Sequence, residues 1–434
     1  QMPPRLLSRT PLCRWSTIPI RRLLSPAFAL NEAWAERHKD ISRLGLGGDY
    51  EWIATVQKKF VGGGLASTVD VDAAVCMAEH KDQVEQLLDI LRKLRHSPSA
   101  ARVASSSQYA MLRLLLKHNP EEIVDLAIDP INNGIFPDDH AACLLIDHFI
   151  EANDINTAAR LAAWMMQQEQ FSSLLLNSLS IVASLKWTEL KRQERKMKGE
   201  GEEEEEVNDE DIVTIKVPFL KNAYDDGHFD LVEGNALVGK TLLWFAREME
   251  GKAPKELTSG CTFLGSLLSS SSPSSILPLL SSSSSSISPS TARSAIAFLD
   301  EIAEPTDEQK EIVDKLSSIA GVSSSASGEA SSGADATRLS SVAVAYLQTI
   351  RADEEKRMME EQTKRFGEWN ERRRKLIEAQ AVRLQINIRK AEMAAELAVM
   401  EAEDEKLHFF ERRLQLERAA KQNEEIAAEA AQMK

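Results

Sequence analysis

Eight consecutive residues carry the sharpest chemical signal in this 434-residue chain. Gly234-Asn235-Ala236-Leu237-Val238-Gly239-Lys240-Thr241 matches the pattern GxxxxGK[ST] letter for letter. In a phosphate-binding loop the glycines let backbone N–H groups wrap the phosphates, a lysine such as Lys240 neutralises them, and a hydroxyl such as that of Thr241 holds magnesium. That chemistry needs a buried strand before the loop and a helix after it. Here the preceding DDGHFDLVE is a weak strand, and the interior Ala-Leu-Val lacks small flexible residues. No series of parallel strands surrounds it. The context argues against a nucleotide hydrolase.

The other reactive side chains form no constellation. His80, His96, His118, His140 and His148 have no carboxylate or cysteine partner at a defining spacing. His140 and His148 stand eight residues apart, not at the i,i+4 spacing of helical metal ligands. Cys13, Cys76, Cys143 and Cys261 include no CxxC pair, so neither a thiolate metal site nor a disulfide scaffold is expected. Cys143, within an apolar run, reads as a small core residue, and Asp138 and Asp139 read as turn and cap residues. No catalytic residue, metal or cofactor is assigned, and the chain is expected not to be an enzyme.

Two basic clusters remain. Lys191, Arg192, Arg195, Lys196 and Lys198 form one; Arg372, Arg373, Arg374 and Lys375 form the other. Either can hold phosphates without reading base sequence. Equally, either can pair with neighbouring glutamates on a solvated helix.

Charge sorts the chain into regions. Acid outweighs base, 67 against 52, for a net charge of −15, which excludes a protein that coats nucleic acid with its whole surface. Residues 1–30 hold Arg5, Arg9, Arg14, Arg21 and Arg22 and no acid, the pattern of a mitochondrial presequence. Excess acid concentrates after residue 200, beginning with the run Glu202–Glu206. No stretch approaches 18 uncharged apolar residues, so no membrane span is expected.

The elements that must position these side chains are helical. Ala and Leu dominate the apolar residues and only 6% of the chain is aromatic. Residues 31–200 form a helical-repeat domain, clearest at 104–170. NEAWAERHKD and Tyr50–Phe60 are short helices, and residues 70–95 carry apolar residues at helical spacing around a turn near His80. A helix marked by Leu112, Leu115 and Leu116 ends before Asn119-Pro120, where Asn119 suits an N-cap and Pro120 the first helical position. Two further helices follow, broken at Asn153-Asp154; Leu145, Ile146 and Phe149 form the packing face of one, and Ala158, Leu161 and Met165 that of the other. Asn119 and Asn153 lie 34 residues apart, as do Leu116 and Ile150, and Val124 and Ala158. Helix pairs at that period bury their faces by stacking into a solenoid.

Beyond Leu174–Leu190, a further helix running into LKRQERKMKG, the chain is expected to alternate. Residues 201–215 are an acidic linker, VTIKVPFL is a short strand or extended approach, and 216–260 continue the helices. Residues 261–293 are a Ser-rich disordered insertion, with 15 serines among the 26 positions from 265 to 290. Residues 294–320 are a helix, 321–337 a flexible linker, and 338–434 a long charged helical arm, roughly 120 Å for eighty residues. Met359 with Phe366, and Ile377 with Leu384, are seven apart and fit fragments of a coiled-coil seam.

The segment GIFPDDHAACLLIDHFIEANDINTAARLAAWMMQQEQF resembles a pentatricopeptide repeat. Gly134, Pro137, Asp138, Leu145, Ile146, Ala158 and Met165 or Met166 take the family's roles, and Asn153 stands where that family has glycine. In order, LLSPAFAL, NEAWAERH, LRHSP, NNGIFPDDHAACLLIDHFI and EQTKRFGEWNERRRKLIEAQ resemble a family of mitochondrial small-subunit ribosomal proteins. That resemblance implies an all-α, non-catalytic scaffold in the mitochondrial matrix, in contact with small-subunit proteins and ribosomal RNA. It implies that Gly234–Thr241 lies in a helix, with Leu237, Val238, Leu242 and Leu243 in the core. It also implies that Cys143 sits where a base-reading repeat carries a polar residue, so RNA contact is not base-specific. The alternative is a free pentatricopeptide-type RNA-binding or translation factor.

Overall fold

The computed structural model describes residues 22–198, 231–269, 287–299, 307–320 and 338–432, and every regular element among them is helical. Expectations for the leader up to residue 21, the acidic linker, VTIKVPFL, residues 270–286 and the linker 321–337 lie outside the described residues. The chain divides into two units, Gln1–Glu371 and Arg372–Lys434.

The first unit begins with α1 (Asn31–Ser42), α2 (Asp49–Phe60), α3 (Thr68–Met77), α4 (Val84–Arg95) and α5 (Ser105–His118). It continues with α6 (Glu122–Ile128), the single turn α7 (Pro130–Asn133), α8 (Asp139–Glu151), α9 (Ile155–Gln167) and α10 (Leu174–Thr188). Local chemistry starts and stops these helices. Asp138 accepts from Ala141 N at 2.8 Å, Asp154 from Thr157 N at 3.2 Å and Ser173 from Leu176 N at 3.3 Å, each satisfying an N–H that the first turn leaves unpaired. Asn153 turns α8 into α9 at φ 61°, the left-handed geometry that Asn tolerates in place of Gly. Leu145, Ile146, Phe149, Ala158, Leu161 and Met165 are all buried. Helix α10 is buried around nearly its whole circumference, enclosed by α8, α9 and the next helix in the chain.

The unit 34 residues earlier differs. Helix α6 stops after two turns because Pro130 follows it. Asn119 places no oxygen on the helix N-terminus; its Nδ2 donates to Glu122 Oε1 at 2.5 Å instead.

Packing redraws several expected boundaries. Within the presequence-like segment expected to run to residue 30, Leu24 and Phe28 lie in the core, 2% and 0% exposed. The Ser-rich insertion is expected from 261 to 293, yet α12 (Lys255–Ser269) and α13 (Pro289–Leu299) occupy both its ends. Cys261, Phe263 and Leu264 give α12 a buried face, and Ser288 Oγ accepts from Thr291 N to start α13. The helix read over 294–320 is two, α13 and α14 (Asp307–Ala320). The helix expected to run into LKRQERKMKG ends at Thr188.

Helix α15 (Leu339–Leu407) starts in the first unit, where Leu339 is fully buried and its N–H donates to Ser294 Oγ. Farther along, Phe366 packs on Trp34 and Tyr109 with ring centroids 5.2 and 5.4 Å apart. The Met359–Phe366 seam fragment is therefore turned toward the chain's own core. The second unit is the rest of α15 and α16 (Phe409–Gln432), separated by His408 alone.

Candidate interaction surfaces

The GxxxxGK[ST] octet forms the first two turns of α11 (Gly234–Glu248). Leu237, Val238 and Leu242 are fully buried and Leu243 half-buried. Gly239 faces α12: a Cβ there would lie 2.8 Å from Ser269 N and 2.9 Å from Gly265 O. Gly265 returns the arrangement, its absent Cβ falling 2.8 Å from Gly239 O. The Thr241 hydroxyl donates to Leu237 O within its own helix at 2.7 Å, so it is committed to the backbone. These glycines let two helix backbones approach each other. From Leu237 onward, where its N–H donates to Glu233 O at 2.9 Å, the backbone N–H groups of the octet are spent on carbonyls of the same helix and cannot also wrap a triphosphate.

The first basic cluster is only partly available to a partner. Arg195 folds back to cap α10, donating from Nε to Leu190 O at 2.7 Å and from Nη2 to Thr188 O at 3.1 Å. Its guanidinium also lies 4.6 Å from the Phe298 ring centroid. Lys191, Arg192, Lys196 and Lys198 are exposed, and Lys198 lies 3.8 Å from Asp125. In the second cluster Arg372, Arg374 and Lys375 are exposed while Arg373 is buried.

That second cluster opens a region with unusual surface chemistry. Every residue from Ala381 to Leu407 is exposed, and these include Leu384, Ile386, Ile388, Leu397 and Met400, each at least half exposed. Charge along it is segregated. Residues 372–390 carry seven basic side chains and one acidic; residues 391–405 carry six acidic and no basic. Large apolar side chains are thus exposed along this whole stretch of α15.

A family profile described as mitochondrial 28S ribosomal protein S27 matches residues 6–399. The chain belongs to this family. Membership in the mitochondrial 28S ribosomal protein S27 family makes it a mitochondrial ribosomal protein, and the match spans the octet, both basic clusters and most of α15. Among the described residues no three His, Cys, Asp or Glu side chains are grouped to hold a metal, and no helix is long and apolar enough to cross a membrane.

In this S27-family chain several buried polar groups escaped the sequence reading. Arg113 Nη1 donates to Tyr109 Oη at 2.9 Å, and Tyr109 Oη meets His140 Nδ1 at 3.0 Å. His140 Nε2 meets Phe28 O at 2.9 Å. A carbonyl only accepts, so Nε2 carries the proton and Nδ1 accepts from the tyrosine. Burial lowers the His140 pKa to about 3, so the ring is neutral and serves as structural glue. Asp72 accepts from Ser106 Oγ at 2.5 Å and Ser107 Oγ at 2.8 Å, tying α3 to α5. Arg160 is buried and donates to Ala127 O at the end of α6. No spacing rule pairs residues so far apart. The only available signal was a polar residue on an otherwise apolar helical face.

The remaining reactive groups are equally committed. Cys76, Cys143 and Cys261 are buried free thiols, and burial pushes the Cys143 thiol well above its usual range. Asp138 caps α8, and burial raises its carboxyl to about 6 against the favourable Ala141 N–H and Arg365.

Proposed function

We propose that this chain is a structural component of the mitochondrial small ribosomal subunit in the matrix. In this reading it is a pentatricopeptide-like helical scaffold that binds neighbouring proteins and touches ribosomal RNA without reading bases. The observation that carries the reading is the exposed half of α15 in a chain of this ribosomal family. Its apolar side chains suit protein helices, and its basic stretch, with Arg372 and Arg374 exposed, suits phosphates. The acidic stretch from 391 to 405 would be repelled by RNA and falls to protein partners.

Two further features support this division. The pair α8–α9 has the left-handed Asn153 turn and the buried faces a repeat of this kind needs. Cys143, at the position that would read a base, is 0% exposed and out of reach of a nucleotide. Exposed Arg192 and Lys196 offer further phosphate contacts, whereas Arg195 is engaged by α10 and Lys198 lies near Asp125.

Gradient sedimentation of lysed mitochondria tests the reading. The chain should travel with small subunits through washes at raised salt, and a double variant Arg372→Glu, Arg374→Glu should be lost from them at lower salt than the wild type. A chain that stays at the top of the gradient at every salt concentration is a free factor, and the proposal fails.

A further inference from the structure

The segment entering α1 is held as part of the folded body. Leu23 and Leu24 both donate their N–H groups to Asp147 Oδ1, at 2.9 and 3.2 Å, and Asp147 is itself buried on α8. Ser25 N donates to Glu355 Oε1 on α15 at 2.9 Å. The Phe28 carbonyl accepts from His140, its ring stacks on the imidazole at 4.6 Å, and Arg113 donates to Ala29 O at 2.7 Å. A cut at residue 30 would remove all of these and leave a cavity where Phe28 was.

Arg22 marks the other side of the boundary. Its side chain is half exposed and pairs with Glu151 at the surface. The five arginines of the leader all lie at or before it. Asp147 Oδ1 accepts both backbone N–H groups, and Arg22 is the cation whose charge acts on this carboxyl. Burial raises its pKa despite the two N–H donors, so its charge is undercompensated.

We infer that the leader is removed by hydrolysis of the Arg22–Leu23 peptide bond, leaving Leu23 as the first residue of the working chain with its new α-ammonium paired to Asp147. An endoprotease adds water across that bond. Arg22 departs with the carboxylate, and the Leu23 nitrogen takes up a proton. An α-amino group has a pKa of about 8, so this nitrogen is mostly charged at neutral pH. It lies 2.9 Å from a buried carboxylate oxygen, so cleavage replaces a neutral amide donor with a cationic one. The segment from Leu23 to Leu30 then stays as a strap across α5, α8 and α15.

The inference rests on the mitochondrial reading above, and one experiment separates the two. N-terminal sequencing of the chain purified from isolated mitochondria should give Leu-Leu-Ser-Pro. Recovery in mitochondria with any other first residue, or with the leader intact, overturns this inference alone; absence from mitochondria overturns both. A second measurement compares the full chain with one released at Leu23 bearing a free amine. The released chain should melt roughly 3 °C higher or more, and Asp147→Asn should abolish the gain. Equal midpoints, or a gain that survives in Asp147→Asn, overturn the ion pair.

Discussion

Replacing Gly239 by alanine sets two effects of opposite sign against each other. Alanine is the better helix former by about 0.8–1.0 kcal/mol in a helix interior, so an uncrowded site would gain stability. Here the added Cβ would lie 2.8 Å from Ser269 N, 2.9 Å from Gly265 O and 2.9 Å from Leu268 Cβ. Ordinary carbon contacts need about 3.5–4.0 Å. Two of the three neighbours are backbone atoms, which cannot rotate aside, so α11 and α12 must separate by several tenths of an ångström. Overpacking of this kind costs about 1–3 kcal/mol, and the parting helices also loosen Leu237, Val238 and Leu264. The net expectation is destabilisation of about 1–2 kcal/mol. Lys240→Ala, at a half-buried position, should stay within about 1 kcal/mol of the wild type. Urea unfolding of the full chain, followed by far-UV circular dichroism, reads both variants. A Gly239→Ala protein as stable as the wild type would refute the helix-contact reasoning. So would an ATP hydrolysis activity that disappears in Lys240→Ala, because that outcome belongs to a phosphate loop.

Other perturbations probe the buried polar groups. Tyr109→Phe removes the hydroxyl between Arg113 and His140, leaving His140 Nδ1 without its donor; a loss of about 1–3 kcal/mol is expected in thermal melts, and an unchanged midpoint counts against the relay. Asp138 gives a pH signature. Its folded carboxyl titrates near 6 against 3.8 for the free group, so the folded state holds the proton longer and stability declines as pH rises through that window. Because its side chain is 21% exposed, the decline is about 1–2 kcal/mol. Asp138→Asn keeps a capping oxygen and should flatten this part of the stability–pH curve; superimposable curves would show that Asp138 carries no such shift.

What was legible in the residues was local. The α8–α9 pair, its Asp138 and Asp154 caps and the left-handed Asn153 follow from propensities and hydrogen bonds that act within about four residues. The same rules made the arm helical, and they failed at α6 only where Pro130 cut the pattern short. The candidate sites were legible as letters but not as surfaces. Nothing near Gly239 in sequence reveals that Gly265 lies against it, and nothing near Arg195 reveals the Phe298 ring. Phe28 reads as leader until His140 is stacked on it, and Phe366 reads as a seam for another chain until Trp34 meets it. Sequence alone determined that the chain is helical and which side chains carry charge, but not where α12, α13 and α14 begin and end. Tertiary structure decided which glycines are contacts, which cations are already engaged and that Leu24 and Phe28 join the core, because each of those depends on an atom brought close by packing from a distant part of the chain.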